Sequence, residues 1–221
     1  MRMRDLDAQK ERMIRIHLED RGISDPAVLA AMREVPREAF VAAEIRDAAY
    51  DDHPLPIEEG QTISQPYIVA YMLEALELSP ADRTLEIGTG SGYAAAVLSR
   101  CAASVVTVER LAGLAQSARH RLETLGYTNI RVVEGDGTLG WPDEAPYDAI
   151  VVTAGAPEVP APLLLQLAVG GRLVIPVGAG AYDQLLLRVR RVGNDDYRTE
   201  SLCGVRFVPL IGEAGWHEGK Q

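Results

Sequence analysis

The chain has 221 residues, 47% hydrophobic and 24% charged, which is the balance of a globular protein with one large core. Its 32 acidic residues against 22 basic ones give a formal net charge of −10 and argue against a general nucleic-acid binder, because neutralising phosphates needs lysine and arginine in excess. No apolar run is long enough for a membrane span, the charged start lacks a signal-peptide pattern, and Cys101 and Cys203 stand far apart, so a cytoplasmic protein with reduced thiols and no membrane partner is expected.

Residues 6–21 are charged and helix-prone, and Gly22 is a natural stop. Asp25 and Pro26 restart a helix as N-cap and first helical residue. Val28, Leu29, Met32 and Val35 give it one apolar face, and Pro36 ends it. An ordered loop is expected over residues 40–60, because neither helical nor strand periodicity runs through it. Residues 1–60 are thus expected to be a helical appendage and loop, with residues 61–221 the main domain and the two packed as one unit. His53 beside Asp51 and Asp52 is no metal signal, since adjacent side chains point in different directions and no second ligand cluster exists. No metal is expected.

Thr62 and Ser64 stand just before a predicted helix. Pro66 suits its first turn, and Val69, Met72, Leu73 and Leu76 follow at helical spacing. Hydroxyls beside free N–H groups and a positive dipole end make a carboxylate-binding site. The other reading of Ser64 is a plain helix cap.

Residues 84–93 join a short buried strand, a glycine-dense turn and the helical run Ala94, Ala95, Ala96, Val97 and Leu98. This is a nucleotide-binding elbow, in which glycine lets a ligand lie on the main chain. Gly88, Gly90 and Gly92 follow Glu86 as E-x-G-x-G-x-G, where a dinucleotide fingerprint would be G-x-G-x-x-G. The pattern resembles motif I of S-adenosylmethionine-dependent methyltransferases. That ligand carries a sulfonium cation and an amino acid moiety in place of a pyrophosphate, so an acid in the elbow is favourable. A tight turn without a ligand is the bland alternative.

Strand and helix then alternate, which predicts a parallel sheet with right-handed crossovers. Val105, Val106, Thr107 and Val108 lead to Glu109, which lies 17 positions after Gly92, close to the spacing at which a carboxylate meets ribose hydroxyls. A helix with Leu111, Leu114, Ala115, Ala118, Leu122 and Leu125 as its buried stripe stops at Gly126. A strand over 130–134 follows, then Gly135, Asp136 and Gly137, where Asp136 would accept from an adenine amino group or act as a turn residue. Residues 147–152 are a near-continuous apolar strand, 160–169 a helix ended by Gly170 and Gly171, and 173–177 a further strand. Two last strands, 185–192 and 205–209, are expected around the polar turn Gly193, Asn194, Asp195 and Asp196 as a hairpin closing the sheet edge.

The whole pattern resembles the protein-L-isoaspartate (D-aspartate) O-methyltransferase family over nearly the whole chain. The residues that carry the likeness are Val35-Pro36-Arg37, Asp52-His53-Pro54-Leu55-Pro56, Gly60-Gln61-Thr62-Ile63-Ser64-Gln65-Pro66, Leu85-Glu86-Ile87-Gly88-Thr89-Gly90-Ser91-Gly92, Gly135-Asp136-Gly137 and Phe207-Val208-Pro209-Leu210. The resemblance implies an α/β, Rossmann-like methyltransferase fold: a mostly parallel, doubly wound sheet with a C-terminal antiparallel hairpin and an N-terminal helical appendage. It implies methyl transfer from S-adenosylmethionine, leaving S-adenosylhomocysteine, to the free α-carboxylate of L-isoaspartyl and D-aspartyl residues in damaged proteins and peptides. The family's active-site serine matches Ser64. The expected cofactor residues are Thr62, Ile63, Glu86, Gly88, Thr89, Gly90, Ser91, Gly92, Glu109, Arg110, Asp136 and Gly137. The alternatives are a same-fold carboxyl methyltransferase acting on another peptide or a small molecule, a nicotinamide-dependent oxidoreductase, and a binding module without catalysis.

Overall fold

The structure is a computed structural model that describes residues 5–180 and 183–217. Helix α1 (Leu6–Arg12) continues through a π-helical stretch (Met13–Leu18) and a last tight turn to Gly22, whose φ of 97° ends it as its position predicts. In α2 (Pro26–Glu34) Asp25 caps the start, its Oδ1 accepting from the N–H groups of Ala27 and Val28. The expected loop over 40–60 contains a feature that the sequence did not suggest. Strand β1 (Leu55–Pro56) pairs antiparallel with β2 (Thr62–Ile63), and this ribbon delivers the chain to α3 (Pro66–Ala75).

The remaining elements are β3 (Arg83–Ile87), α4 (Tyr93–Leu98), β4 (Ser104–Glu109), α5 (Ala112–Thr124), β5 (Ile130–Glu134), β6 (Tyr147–Val152), α6 (Ala161–Gln166), β7 (Leu167–Val177), β8 (Gln184–Arg191) and β9 (Tyr197–Val205). The strands form one sheet in the order β5-β4-β3-β6-β7-β8-β9, parallel as far as β7 and antiparallel from β7 through β9. Strand alternation divides its side chains between two cores. Val105, Val132, Val151 and Val174 pack towards α3, α4 and the N-terminal helices, while Leu85, Ile87, Val106, Ile150 and Ile175 pack towards α6. A sheet covered on both faces explains its apolar strands. This is the expected Rossmann-like fold. Among the described residues no helix is long and apolar enough to cross a membrane.

Two expected elements are corrected. The helix expected over 160–169 ends at Gln166, and Gly170 and Gly171 lie inside β7, where the pairing with β6 shifts register between Tyr147 and Ala149. The second hairpin strand follows the turn directly as β9, and of the expected residues 205–209 only Val205 belongs to it. β9 is a half-exposed, polar edge strand, so hydrophobic alternation does not reveal it. The segment after it turns back instead over the carboxyl ends of the central strands. There the N–H of Gly155 donates to Val208 O at 2.7 Å and that of Leu210 to Gly155 O at 2.8 Å.

Helix α3 is held at both ends. At its C-terminus Arg172 donates to the carbonyls of Leu76 (2.5 Å) and Glu77 (2.6 Å) and to Asp82 Oδ2 (2.7 Å), anchoring the helix to β7. At its N-terminus the Asp52 carboxylate arrives from the preceding loop, with Oδ1 3.4 Å from the Tyr67 nitrogen. What lies between the ribbon and this helix is Ser64.

Candidate active site

The sheet reverses its winding between β3 and β6, and a crevice opens at the carboxyl ends of such strands. The elbow begins there. Gly88 has φ 97°, and a Cβ on it would lie 2.4 Å from Thr153 Oγ1, so only glycine fits. Gly90 (φ 52°) and Gly92 (φ 89°) complete the turn into α4.

Two hollows flank this turn. The larger runs past Gly88 and Gly90 to Glu109, Arg110, Leu111 and Gly137, and the returning segment Val208 to Ile211 forms its far wall. Glu109 stands at its side with the carboxylate already aimed. Oε2 accepts from the Gly90 nitrogen at 3.0 Å and Oε1 from the Leu111 nitrogen at 3.1 Å. Each oxygen keeps a lone pair for a further donor, as a ribose hydroxyl would supply. The narrower hollow is lined by Thr62, Ile63, Ser64, Gly88, Thr89, Gly90 and Ser91. A third, open cleft lies beyond, lined by Ser64, Gln65, Tyr67, Tyr71 and the chain from Cys203 to Pro209.

The narrow hollow and the open cleft share Thr62, Ser64 and Thr153. Ser64 is half-buried, and its hydroxyl has no hydrogen-bond partner among the described residues. It is not a helix cap. Gln65 holds the N-cap position without a side-chain capping bond, and Asp52 supplies the acceptor from outside. The expectation of free N–H groups at this helix start is also corrected, since the Tyr67 nitrogen goes to Asp52 and those of Ile68 and Val69 go to Gln65 O.

Three expected cofactor residues lie outside the two hollows beside the elbow, Asp136 lining instead an open pocket next to them with Arg110, Gly135 and Ile211. Glu86 is fully buried beneath the elbow and lines none of these hollows. Its Oε2 accepts from the Thr107 hydroxyl at 2.5 Å, that hydroxyl lies 2.7 Å from Thr89 Oγ1, and Oε1 has no partner. Burial pushes its pKa up to about 8, against the Thr107 hydrogen bond, with the nearby Glu109 charge adding to the rise. Gly92 packs on Leu122, its place set by φ and by that close approach. Asp136 accepts from the backbone (2.9 Å) and hydroxyl (2.7 Å) of Thr138 with Oδ1 and from the Glu213 nitrogen (2.8 Å) with Oδ2, so its carboxylate is mostly occupied in holding the C-terminal segment down. Gly137 does line the large hollow, against Ile87.

Sequence reasoning missed Thr153, Asp52 and Arg21. Thr153 follows β6 directly, and its Oγ1 donates to Gly88 O at 2.8 Å. The rule that ligands meet the carboxyl ends of parallel strands would have found it. Asp52 was visible only as part of a motif. Its Oδ2 accepts from Gln65 Nε2 (2.7 Å) and from Arg21 Nη1 (2.6 Å), a link over 31 residues that no local pattern carries.

The fit to an adenosyl cofactor rests on this geometry: a glycine-floored cradle, an anchored acid beside it, and a hydroxyl-lined narrow end. The comparisons agree. The model of the protein-L-isoaspartate(D-aspartate) O-methyltransferase family matches residues 8–215. The chain is 71% identical over 214 residues to a protein-L-isoaspartate O-methyltransferase of Pelobacter propionicus, covering 97% of this chain and 95% of that one. A solved protein-L-isoaspartate O-methyltransferase superposes with a TM-score of 0.85 at 34% identity, over 93% of this chain and 67% of that one. A putative Plasmodium falciparum protein-L-isoaspartate O-methyltransferase, solved with S-adenosyl-L-homocysteine, gives 0.79 at 26% identity, over 91% and 98%.

Proposed function

The chain belongs to the protein-L-isoaspartate(D-aspartate) O-methyltransferase family, and we propose that its Ser64 presents the acceptor carboxylate to the methyl donor. The activity is transfer of a methyl group from S-adenosylmethionine to the free α-carboxylate of an isoaspartyl residue in a damaged protein or peptide. When bound, the cofactor supplies that methyl as a group on a sulfonium, a strong electrophile. The observation that carries the residue assignment is the junction at Ser64, where a free hydroxyl stands on the boundary between the elbow's narrow hollow and the open cleft.

The acceptor carboxylate is ionised at neutral pH, so no general base is needed. The open cleft fits that requirement, since no aspartate, glutamate, histidine or lysine lines it among the described residues. A neutral donor such as Ser64 Oγ–H orients one carboxylate oxygen without drawing off the charge that the other needs for attack. Thr62 offers a further neutral hydroxyl at the same boundary, whereas that of Thr153 is committed to the Gly88 carbonyl; Glu109 holds the ribose and Gly88 to Ser91 floor the donor site. The product ester carries a better leaving group than the carboxylate. The following backbone nitrogen closes a succinimide with loss of methanol, and water reopens it in part to aspartate.

We assign the enzyme to the cytoplasm on its free cysteines, and take residues 1–60 and 61–221 as one working unit because Met13, Ile14 and Leu18 share a core with α3 and α4. The test is label transfer from S-adenosylmethionine to paired peptides differing only as isoaspartyl or aspartyl. Labelling of the isoaspartyl member alone is expected, and equal labelling of both would overturn the reading.

A further inference from the structure

We propose that Arg21 and Arg206 make this cleft selective for isoaspartyl sites flanked by acidic residues. The inference rests on the preceding reading of the open cleft as the peptide's seat. The chain is acidic overall, with 32 carboxylate side chains against 22 basic ones. Yet the residues lining this cleft include two arginines and, among the described residues, no acid. The cleft reverses the sign of the molecule around it.

The two arginines come from opposite ends of the chain. Arg21 closes the N-terminal helical stretch and lies 3.5 Å over the Tyr67 ring, on the α3 side of the cleft. Its Nη1 goes to Asp52 at 2.6 Å, which fixes the guanidinium in place. One hydrogen bond uses one of five N–H donors, and the side chain remains 41% exposed. Arg206 lies just beyond β9, on the wall formed by the returning C-terminal segment, and is exposed. An extended peptide advances about 3.3 Å per residue, so side chains one or two places from the isoaspartate are the ones that share the cleft with it. The lining also includes Tyr67, Ile68, Tyr71 and Phe207, a surface that accepts apolar neighbours without selecting by charge.

The chain's net charge opposes acidic peptides at long range. At physiological ionic strength, however, charges more than about 8 Å away are largely screened, so the charges at the cleft decide: Arg206, and Arg21 with part of its charge offset by Asp52. Exposed pairs are individually weak, which sets the scale: exchanging flanking glutamate for lysine lowers kcat/KM by about three- to tenfold at low salt. The contrast shrinks towards unity near 1 M salt, where the screening length falls to about 3 Å.

The experiment uses isoaspartyl peptides identical except for glutamate, glutamine or lysine on both sides of the isoaspartate, with labelled S-adenosylmethionine. The enzyme is the full chain, wild type and as Arg206→Gln, Arg21→Gln, Arg21→Lys and the double glutamine variant. The expected order is glutamate over glutamine over lysine, with the ratio reduced in each glutamine variant, lost in the double variant and kept in Arg21→Lys. The ratio between peptides is the readout, so a general loss of turnover in Arg21→Gln through Asp52 does not imitate the result. Lysine-flanked peptide turned over as well as glutamate-flanked peptide, or a ratio unmoved in the double variant, would overturn the proposal. Turnover of the glutamine-flanked peptide without any flank effect overturns the proposal alone. Absence of turnover for every isoaspartyl peptide overturns the reading of the site and this proposal with it.

Discussion

Asp52 and Gln65 meet at the entrance to α3, with Asp52 Oδ2 accepting from Gln65 Nε2 at 2.7 Å and the Asp52 carbonyl from the same nitrogen at 3.0 Å. Gln65 is the neighbour of Ser64, so a loop residue 13 positions upstream sets where that hydroxyl stands. The same carboxylate takes the Tyr67 N–H and the Arg21 guanidinium. Asp52→Asn keeps the shape and loses the charge-assisted bonds, which are about twice as strong as neutral ones. Its kcat is expected to fall by about tenfold, with S-adenosylhomocysteine affinity within twofold by calorimetry. Unchanged kcat would separate Asp52 from the positioning of Ser64.

Glu109 offers a test of the donor side alone. Its oxygens accept from Gly90 and Leu111 nitrogens at 3.0 and 3.1 Å, so the side chain both shapes the elbow and faces the large hollow. Loss of charged hydrogen bonds costs about 1.5–3 kcal/mol. Glu109→Ala is therefore expected to weaken S-adenosylhomocysteine binding by roughly 10- to 100-fold in calorimetry. Retained affinity would remove the ribose assignment.

Gly88 and Thr153 are in steric register, since a Cβ on Gly88 would stand 2.4 Å from Thr153 Oγ1. Gly88→Ala is expected to lower thermal stability and abolish measurable cofactor binding. In Gly88→Ala/Thr153→Ala the clash is gone but the strain at φ 97° remains, on the order of 1–2 kcal/mol. The double variant is thus expected to be more stable than the sum of the single changes, by about 1 kcal/mol in a denaturation cycle. Strict additivity would show that the two positions do not touch.

Glu86 gives a pH signature. Its folded pKa is raised by burial from 4.5 to about 8, so between those values the folded state holds a proton that the unfolded state has lost. Stability then falls as pH rises through that window, by on the order of 1 kcal/mol per unit at most, and the loss is complete above about 8. Glu86→Gln keeps the neutral shape and has no proton to lose. Melting curves of the ligand-free protein from pH 5 to 9 are expected to show a decline in the wild type that is smaller in the variant. Parallel declines in the two proteins would mean that Glu86 is already ionised when folded.

The elements that local chemistry specifies were legible in the sequence. Asp25 with Pro26, the alternating apolar strands and the Gly88, Gly90 and Gly92 spacing each act within a few residues, so a linear reading finds them. The β1–β2 ribbon was not legible, because two-residue strands have no period to detect and one of them contains Pro56. β9 escaped because an exposed polar edge carries no apolar alternation. The place of Gly88, Gly90 and Glu109 beside one hollow was readable from spacing. The roles of Asp52, Arg21 and Thr153 depend on contacts across 13 to 65 residues, and those exist only once the sheet has assembled. Glu86 is legible as part of the elbow, but its burial beneath the turn is not, since that depends on the packing around the strand.

The central claim is that Ser64, free of any capping bond, holds the acceptor carboxylate. Ser64→Ala tested with an isoaspartyl peptide, alongside calorimetry with S-adenosylhomocysteine, addresses it most directly. The expected result is a fall in kcat/KM of at least about tenfold, or ~1.4 kcal/mol of lost transition-state stabilisation, with cofactor affinity within twofold. Turnover within about twofold of the wild type, a difference below ~0.5 kcal/mol, would contradict the claim.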